Sequence, residues 1–244
     1  METELPGTLI GAGRNADVYD IGGGRVLRRY RDSQHARTIE LQAQVMVDAR
    51  ASGVPVPEVF EVTGTDIVME CAPGPTMLQA LTRRPWTVRS HARSLARLHA
   101  LVHQVPAPAG LPAPCGDDDR ERQVLLHRDL HPGNVILTPA GPMIIDWEGA
   151  ARGPAIFDVA MTWVIVASSE VPENGLAGGV VRGVQGQFTR SFVHAAGPID
   201  QVWRVRAVGS RLLDPNVLPA ERARLGRLPH QPRGGWRLGV AGAF

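Results

Sequence analysis

The sequence contains no lysine, because all 26 of its basic residues are arginine. A Walker-type phosphate loop needs a Gly-Lys-Ser/Thr motif and Schiff-base chemistry needs a side-chain amine, so both mechanisms are excluded. The chain also has only two cysteines, Cys71 and Cys115, and neither belongs to a Cys-X-X-Cys pair. Their isolation argues against a disulfide framework and against a cysteine-based zinc site.

Signals for export or membrane insertion are also missing. The N-terminus has no basic region followed by an apolar stretch, and the most apolar segment, residues 157–167, is too short to span a bilayer. The 244 residues are 43% hydrophobic and 20% charged, which suits one large domain or two small lobes. We therefore expect a soluble, cytoplasmic protein, as a monomer or homodimer, without a membrane partner.

The charge distribution is uneven along the chain. From Asp200 onward there are eight arginines against three acids. Arginine is not interleaved with aromatic residues here in the manner of nucleic-acid-binding surfaces, so we expect no nucleic-acid partner. Scattered surface arginine is the simpler interpretation of this basic end.

Secondary-structure patterns change near residue 71. Before it, short apolar segments alternate with glycine turns, and a helical pattern runs over residues 36–51. After it, helical patterns dominate, with helices predicted over residues 87–105, 155–169, 179–196 and 200–213. We predict an α+β fold with an N-terminal lobe over residues 1–71 and a mainly helical lobe over residues 72–244. Order is expected to decline from about residue 225.

The most informative segment reads LHRDLHPGNVIL over residues 126–137 and is followed by MIIDWE over residues 143–148. Its two apolar runs flank a Pro-Ala-Gly turn and predict a β-hairpin. If Leu137 pairs with Met143, Asn134 lies beside Asp146, with α-carbons roughly 5 Å apart. An amide oxygen and a carboxylate that converge in this way, completed by phosphate oxygens and water, suit Mg²⁺.

Asp129 precedes Asn134 by five residues, across the bend formed by Pro132 and Gly133. This spacing places its carboxylate close to the expected metal, where a base for a substrate hydroxyl belongs. Phosphoryl transfer depends more on positioning and charge neutralisation than on a strong base, so an aspartate of ordinary pKa is adequate.

The motifs HRDLHPGN and IIDWE resemble the catalytic and metal loops of the aminoglycoside phosphotransferase and choline kinase family, which is related to the protein kinases. The resemblance covers about residues 8–165 and is tight only in the catalytic stretch. It implies a bilobal protein-kinase-like fold, ATP and Mg²⁺ as cofactors, and γ-phosphoryl transfer to a small-molecule hydroxyl. By resemblance, Asp129 is the catalytic base, Asn134 and Asp146 are the metal ligands, and His127 packs the loop. The alternative is a polar hairpin that carries these residues without a metal.

The segment GAGRNADV over residues 11–18 resembles the glycine-rich hairpin that covers nucleotide phosphates in kinases. The resemblance places Gly11 and Gly13 over the phosphates and Val18 over the adenine. Ala16 replaces the third glycine of the motif, and a plain β-hairpin would explain the two glycines equally well.

The next strand should supply the phosphate-contacting lysine of the family, but Arg28 stands at that position. Arginine keeps the positive charge but replaces a compact ammonium with a planar fork, so the phosphate geometry could change. Glu40, on the helix that follows, resembles the glutamate that pairs with this basic residue. Its alternative is an acid on the solvent-exposed surface of the helix.

By the same resemblance, Glu70 and Cys71 stand at the hinge whose backbone meets adenine, and Ile136 is a candidate floor for the purine. Core packing would explain the apolar positions as well. Asp158 resembles the family aspartate that braces the catalytic loop by accepting its amide hydrogens. Its alternative is an acid favoured at a helix start by the helix dipole.

Two pairs of histidines have a four-residue spacing that could suggest zinc, namely His99 with His103 and His127 with His131. Neither pair has an evident third ligand in the sequence, so packed or solvated histidines are the better interpretation.

The acceptor is left open between aminoglycoside-like, choline-like and sugar-like hydroxyl compounds. A polycation would need an acidic pocket, and Glu148 and the run Asp117, Asp118 and Asp119 are the nearby acids. A second hypothesis is a catalytically weak or inactive nucleotide-binding pseudokinase, because Arg28 and Ala16 depart from the family pattern. A protein kinase is a weaker alternative, since little sequence separates Asp146 from the next predicted helix.

Overall fold

The computed structural model describes residues 7–13, 15–32, 36–108, 110–115, 122–170, 175–215 and 217–228. For residues 36, 37 and 175–177 it describes the backbone alone. The acidic run 117–119 and the tail from residue 229 lie outside the described residues.

A five-stranded antiparallel sheet forms the N-terminal part of the chain. Its strands are β1 (Thr8–Ala12), β2 (Ala16–Gly22), β3 (Arg25–Tyr30), β4 (Val59–Thr63) and β5 (Asp66–Glu70), in the order β1-β2-β3-β5-β4. The tight turn between β2 and β3 uses Gly22, Gly23 and Gly24, all with positive φ, a conformation that glycine adopts without steric cost.

Helix α1 (Ala36–Ala51) has the bounds predicted from the sequence. It packs against β4 and against the short 3₁₀ turn Trp147–Gly149. Its buried face carries Ile39, Gln42, Ala43 and Met46, spaced as one side of a helix requires. Glu40 lies off this face and is exposed.

The C-terminal part is mainly helical. Its helices are α2 (Met77–Arg83), α3 (Val88–Val102), α4 (Ala155–Ser168), α5 (Gly175–Ala196), α6 (Gln201–Leu212) and α7 (Pro219–Leu225). Its strands form two small antiparallel pairs, β6 (Val124–Leu126) with β9 (Ala151–Gly153) and β7 (Val135–Thr138) with β8 (Gly141–Ile144). The predicted α+β class, with an antiparallel sheet followed by a helical part, is confirmed.

Helix α4 is the centre of this helical part. Ten of its 14 residues are buried, so it has no solvent-facing stripe, and it packs against α5 and α6. Asp158 lies in its first turn and is completely buried. The central position of α4 therefore carries a carboxylate into the interior, directly behind the segment that precedes β7.

The predicted register of the β7–β8 hairpin is wrong by one residue. Leu137 pairs with Pro142 rather than with Met143, because a two-residue turn joins Thr138 to Gly141 and both strands extend further toward it. Asn134 therefore lies opposite Ile145, whose amide donates to the Asn134 carbonyl over 3.0 Å. Asp146 is one residue beyond the predicted pair.

Helix boundaries differ slightly from those predicted. Helix α3 ends at Val102 rather than at residue 105, in keeping with the preference of a residue before proline, here Pro106, for extended backbone. Helix α5 begins at Gly175 rather than at residue 179. The predicted lobe boundary falls directly after β5 and stays a prediction. Among the described helices, none has the length and apolar character needed to cross a membrane.

Candidate active site

The catalytic loop, residues 127–134 between β6 and β7, is anchored by Asp158. The Asp158 carboxylate accepts hydrogen bonds from the backbone amides of His127, over 3.2 Å, and Arg128, over 2.6 Å. Arg128 has φ of 66°, a left-handed conformation that is strained for a side chain of this kind. The bracing role predicted for Asp158 is confirmed.

His127 ties this loop to the end of β8. Its ring is completely buried, with Nε2 donating to the Ile145 carbonyl over 3.0 Å and Nδ1 facing the Asp129 amide over 3.3 Å. The ring also packs against the buried indole of Trp147. The packing role predicted for His127 is confirmed.

Asp129 and Asn134 form the centre of the loop. The Asn134 amide nitrogen donates both to the backbone carbonyl and to Oδ2 of Asp129, each over 2.9 Å. Both acceptors require an N–H donor, which fixes the amide orientation and leaves the Asn134 Oδ1 atom available as a ligand. Burial alone would raise the pKa of Asp129, but His131, His127 and Arg211 outweigh it and lower that pKa. Asp129 is therefore held as a carboxylate that can accept a proton.

Asp146 follows β8 and, like Arg128, has φ of 66°. These two are the positive-φ residues other than glycine in the part of the chain that the structure describes. Oδ1 of Asp146 accepts a hydrogen bond from Arg28 over 2.9 Å, and Glu148 accepts one from the same Arg28 nitrogen over 3.2 Å. Glu148 also accepts from Asn15, which lies at the tip of the β1–β2 hairpin.

Arg28 reaches these carboxylates from β3. Its side chain is 15% exposed, and its guanidinium lies 5.0 Å from the Tyr30 ring centroid. Burial alone would lower the pKa of Arg28, but the charge of Asp146 and its hydrogen bond outweigh burial, so that pKa is raised. The Nε atom of Arg28 is buried without a hydrogen-bond partner among the described residues. This N–H group of the Arg28 guanidinium therefore makes no hydrogen bond to the described residues.

The expected pairing of Arg28 with Glu40 is wrong for this structure. Glu40 is exposed on α1, while Arg28 pairs with Asp146 and Glu148. The polar residue of α1 that lines the neighbouring cavity, described below, is Gln42, which is 4% exposed. Its Oε1 accepts from the Tyr30 hydroxyl over 2.6 Å, and its Nε2 is buried without a partner among the described residues. Sequence reasoning missed Gln42, although the apolar spacing of α1 places it on the buried face.

A cavity of ≈340 Å³, here called the sheet cleft, lies between the sheet and the β7–β8 hairpin. It gathers nine of the site residues predicted from the sequence, namely Gly11, Gly13, Val18, Arg28, Glu70, Cys71, Asn134, Ile136 and Asp146. A β-carbon on Gly13 would lie 2.9 Å from the Ala16 carbonyl oxygen, closer than real β-carbons come. Glycine is therefore required at this point of the hairpin.

A larger cavity of ≈790 Å³, here called the α6 pocket, opens beside the sheet cleft. Residues of the catalytic loop, α4 and α6 line it, and Asp129 is among them. Asp146 lines both cavities. The predicted base thus opens onto one cavity, and the predicted metal ligand stands where the two cavities meet.

The donor chemistry of Asn134 and Asp146 fits a hard divalent cation. A carboxylate and an amide oxygen are ligands that Mg²⁺ takes from proteins, with the remaining positions supplied by water and phosphate. The described lining of the sheet cleft contains no histidine and a single thiol, Cys71, so a soft metal has no comparable ligand set here.

A second cluster lies behind the catalytic loop. The ligand-type atoms of His99, His103 and Asp158 lie within 4.8 Å of one another, so the structure supplies the acid that the sequence did not reveal. His103 contacts Asp158 over 2.9 Å, and His99 contacts the Thr162 hydroxyl over 2.9 Å. Asp158 also holds two loop amides, so we interpret the cluster as a structural brace.

Comparison with known protein families identifies one family that matches most of this chain. The model of the phosphotransferase enzyme family (APH) matches residues 6–121 and 111–192. Thiamine kinase of Salmonella paratyphi B is 46% identical over 39 residues, which are 16% of this chain and 14% of that protein. The aligned part is thus a small fraction of that relative's length, and its activity is not carried over by the match.

Solved structures of other proteins share the fold, and two of them illustrate the similarity. The ternary complex of streptomycin, ATP and APH(2")-IIa superposes with a TM-score of 0.61 at 10% identity, covering 91% of this chain and 90% of that one. A choline/ethanolamine kinase family protein from Mesorhizobium loti superposes with a TM-score of 0.53 at 16% identity, covering 94% and 90%. The predicted protein-kinase-like fold is confirmed.

Proposed function

The chain belongs to the phosphotransferase enzyme family, and we propose that it transfers the γ-phosphoryl group of Mg²⁺-bound ATP to a hydroxyl of a small molecule. The observation that carries the proposal is the position of Asp146, which lines both the sheet cleft and the α6 pocket while Asp129 opens onto the α6 pocket. A phosphoryl donor bound in the sheet cleft and a hydroxyl acceptor bound in the α6 pocket would meet between Asp146 and Asp129.

We assign the nucleotide to the sheet cleft. The backbone of Gly11 and Gly13 would lie over the phosphates, and Val18 and Ile136 would contact the two faces of the purine. The backbone at Glu70 and Cys71, where β5 ends, would meet the purine edge. Arg28 would contact phosphate oxygens, and Gln42 would lie beside the nucleotide as the polar α1 residue of the cleft.

We assign magnesium to Oδ1 of Asn134 and the carboxylate of Asp146. When bound, the metal supplies neutralisation of phosphate charge and alignment of the transferred group. Asp129 accepts the proton of the acceptor hydroxyl, and its lowered pKa keeps it ionised for that step. The Asn134 amide holds Oδ2 of Asp129 in place over 2.9 Å. Positioning and electrostatics thus carry most of the catalysis, as phosphoryl transfer requires.

Thermal unfolding with ATP plus Mg²⁺, compared with ATP plus a chelator, tests the nucleotide and metal assignments. Ligand at a hundredfold over its dissociation constant adds about 2.7 kcal/mol of stability. We expect a magnesium-dependent shift in the wild type, its loss in Asp146→Asn, and its retention in Asp48→Asn, which lies on α1 outside both cavities. If no nucleotide gave a shift, the alternative of a non-catalytic protein would replace this proposal.

Release of ADP tests the role of Asp129. Asp129→Asn should keep the magnesium-dependent shift but lose roughly 10²- to 10⁴-fold in kcat, the usual contribution of a positioned acid or base. Full turnover by Asp129→Asn on a verified acceptor would remove the assignment of the base and leave the nucleotide site standing.

A further inference from the structure

In the α6 pocket, the carboxylates and the arginines differ in their contacts. Every carboxylate in the described lining contacts another side chain of the protein. Asp129 is bound by Asn134, Asp146 and Glu148 by Arg28, and Asp214 by Arg211. A polycationic acceptor binds through carboxylates that are open to it, and in the described lining each would first have to be released from a partner.

The arginines of the same pocket differ from one another. Arg211 is held by Asp214 and by Glu221, each over 2.9 Å. Arg128 and Arg206 make no ion pair with the residues that the structure describes. Nε of Arg128 is buried without a hydrogen-bond partner there, beside the catalytic Asp129. Arg206 is exposed on α6, with its guanidinium 4.8 Å from the Trp203 ring centroid.

The α6 pocket lies between helix α6, which carries Arg206, and the catalytic loop, which carries Arg128. Arg206, Gly209, Ser210 and Leu213 line it from one side of α6, at the three- and four-residue spacing of a helix face. A β-carbon on Gly209 would meet no atom within 4 Å. The pocket is therefore open beside this part of α6.

We propose that the α6 pocket selects an acceptor that carries an anionic group, a carboxylate or a phosphate, in addition to its reactive hydroxyl. Arg206 and Arg128 bind that group, since the planar guanidinium fork matches both anions. Arg128 binds the anion from the catalytic loop, directly before Asp129 in the chain, so that the hydroxyl lies toward Asp129. This inference rests on the proposed function and names the acceptor class for the same site.

A matched acceptor series tests the proposal by ADP release. Glycerol, glycerate and glycerol 3-phosphate share one carbon skeleton and differ by a neutral, carboxylate or phosphate group. Choline, thiamine and streptomycin serve as cationic acceptors. We expect kcat/KM to be at least about tenfold higher for one of the two anionic compounds than for glycerol, as charge-assisted hydrogen bonds predict. The better of the two identifies the anion. Preference for a cationic acceptor would overturn the proposal.

Binding provides a second measurement that does not depend on the carbon skeleton. The protein is first saturated with Mg²⁺ and a non-hydrolysable ATP analogue, and inorganic phosphate or acetate is then titrated while thermal unfolding is followed. We expect saturable stabilisation by at least one anion at millimolar concentration. Stabilisation by neither anion would overturn the proposal, while the nucleotide shift itself would still support the proposed function.

Two substitutions locate the anion site. Arg206→Gln and Arg128→Asn should each weaken the anion response about tenfold without changing nucleotide affinity. Asparagine is chosen at position 128 because it tolerates a left-handed backbone. Arg93→Gln, an exposed arginine on α3, is the matched control and should behave as the wild type. An unchanged anion response in both pocket variants would overturn the assignment.

Discussion

Nη2 of Arg28 donates a hydrogen bond to Oδ1 of Asp146 over 2.9 Å and so joins strand β3 to the residue proposed as a metal ligand. The same guanidinium nitrogen of Arg28 also contacts Glu148, and the planar fork, unlike a compact ammonium, carries further N–H donors. Binding of Mg²⁺ and ATP would have to exchange these contacts, with the metal taking the Asp146 carboxylate and the phosphates taking the guanidinium. Arg28 would thus couple the proposed nucleotide and metal positions energetically.

The first prediction concerns this exchange. Arg28→Met should weaken the affinity for Mg²⁺-bound ATP analogue about tenfold or more, because charge-assisted hydrogen bonds to phosphate are lost. The same variant should bind Mg²⁺ alone more tightly, since Asp146 no longer has a competing cation. Titration calorimetry measures both quantities. Arg29→Met is the matched control, because Arg29 pairs with Asp66 instead. Equal nucleotide affinity in wild type and Arg28→Met would contradict the assignment.

The second prediction concerns Gln42. A carboxylate at this buried position would attract Arg28 and repel the phosphates, so Gln42→Glu should weaken nucleotide binding more than the uncharged Gln42→Met does. Gln42→Met, which removes the unpartnered Nε2 donor, should itself weaken binding by a few-fold. Gln44→Glu, on the exposed side of α1, controls for added charge. Tighter nucleotide binding by Gln42→Glu would contradict this prediction and would mean that an acid at position 42 favours nucleotide binding.

Local patterns allowed much of the fold to be predicted. The bounds of α1 follow from its own residues, and the motif spacing of the catalytic loop was sufficient to identify Asp129, Asn134 and Asp146 as candidates. The hairpin register could not be fixed because it depends on the turn, where Thr138 Oγ1 donates to the Gly141 carbonyl and favours a two-residue connection.

Long-range contacts account for the features that sequence reasoning missed. Gln42 becomes significant only because the Tyr30 hydroxyl and the sheet cleft lie beside it. Arg128 and Arg206 are separated by 78 positions in the chain and meet in one pocket only after α6 packs on α4. Glu40 resembles the family glutamate in charge, but helix geometry places Gln42 rather than Glu40 on the buried face of α1.

The third prediction follows from the lowered pKa of Asp129. The pKa of Asp129 lies below the ordinary aspartate value of 3.8, so Asp129 is ionised at any pH well above that value. Protonation of Asp129 should therefore not limit activity near neutrality. The acid limb of kcat/KM, which reports groups of the free enzyme, should therefore lie at or below about pH 4. Initial rates in buffers of constant ionic strength measure this profile. An acid limb near pH 6 that disappears in His131→Gln would assign the titration to His131 and contradict the prediction.

The last prediction concerns Asp158, whose carboxylate is completely buried beneath the catalytic loop. Burial alone would raise the pKa of Asp158, but the hydrogen bond from His103 and the charges of His103 and His99 outweigh it, so that pKa lies well below its usual range. Because the folded pKa is below the unfolded value near 3.9, the unfolded chain takes up the proton first. The stability that Asp158 supplies is therefore complete above about pH 4 and is lost as the pH falls through the folded pKa.

Asp158→Asn should consequently lower the free energy of unfolding by roughly 3 kcal/mol at neutral pH, since a buried, hydrogen-bonded charge is removed and its partners remain. The deficit should shrink below about pH 4, where the wild type loses the same contribution. Urea unfolding at pH 7, 5 and 3.5 measures both values, with Asp20→Asn on the exposed end of β2 as the control. A deficit of the same size at all three pH values would mean that packing, rather than the ionised carboxylate, makes Asp158 important.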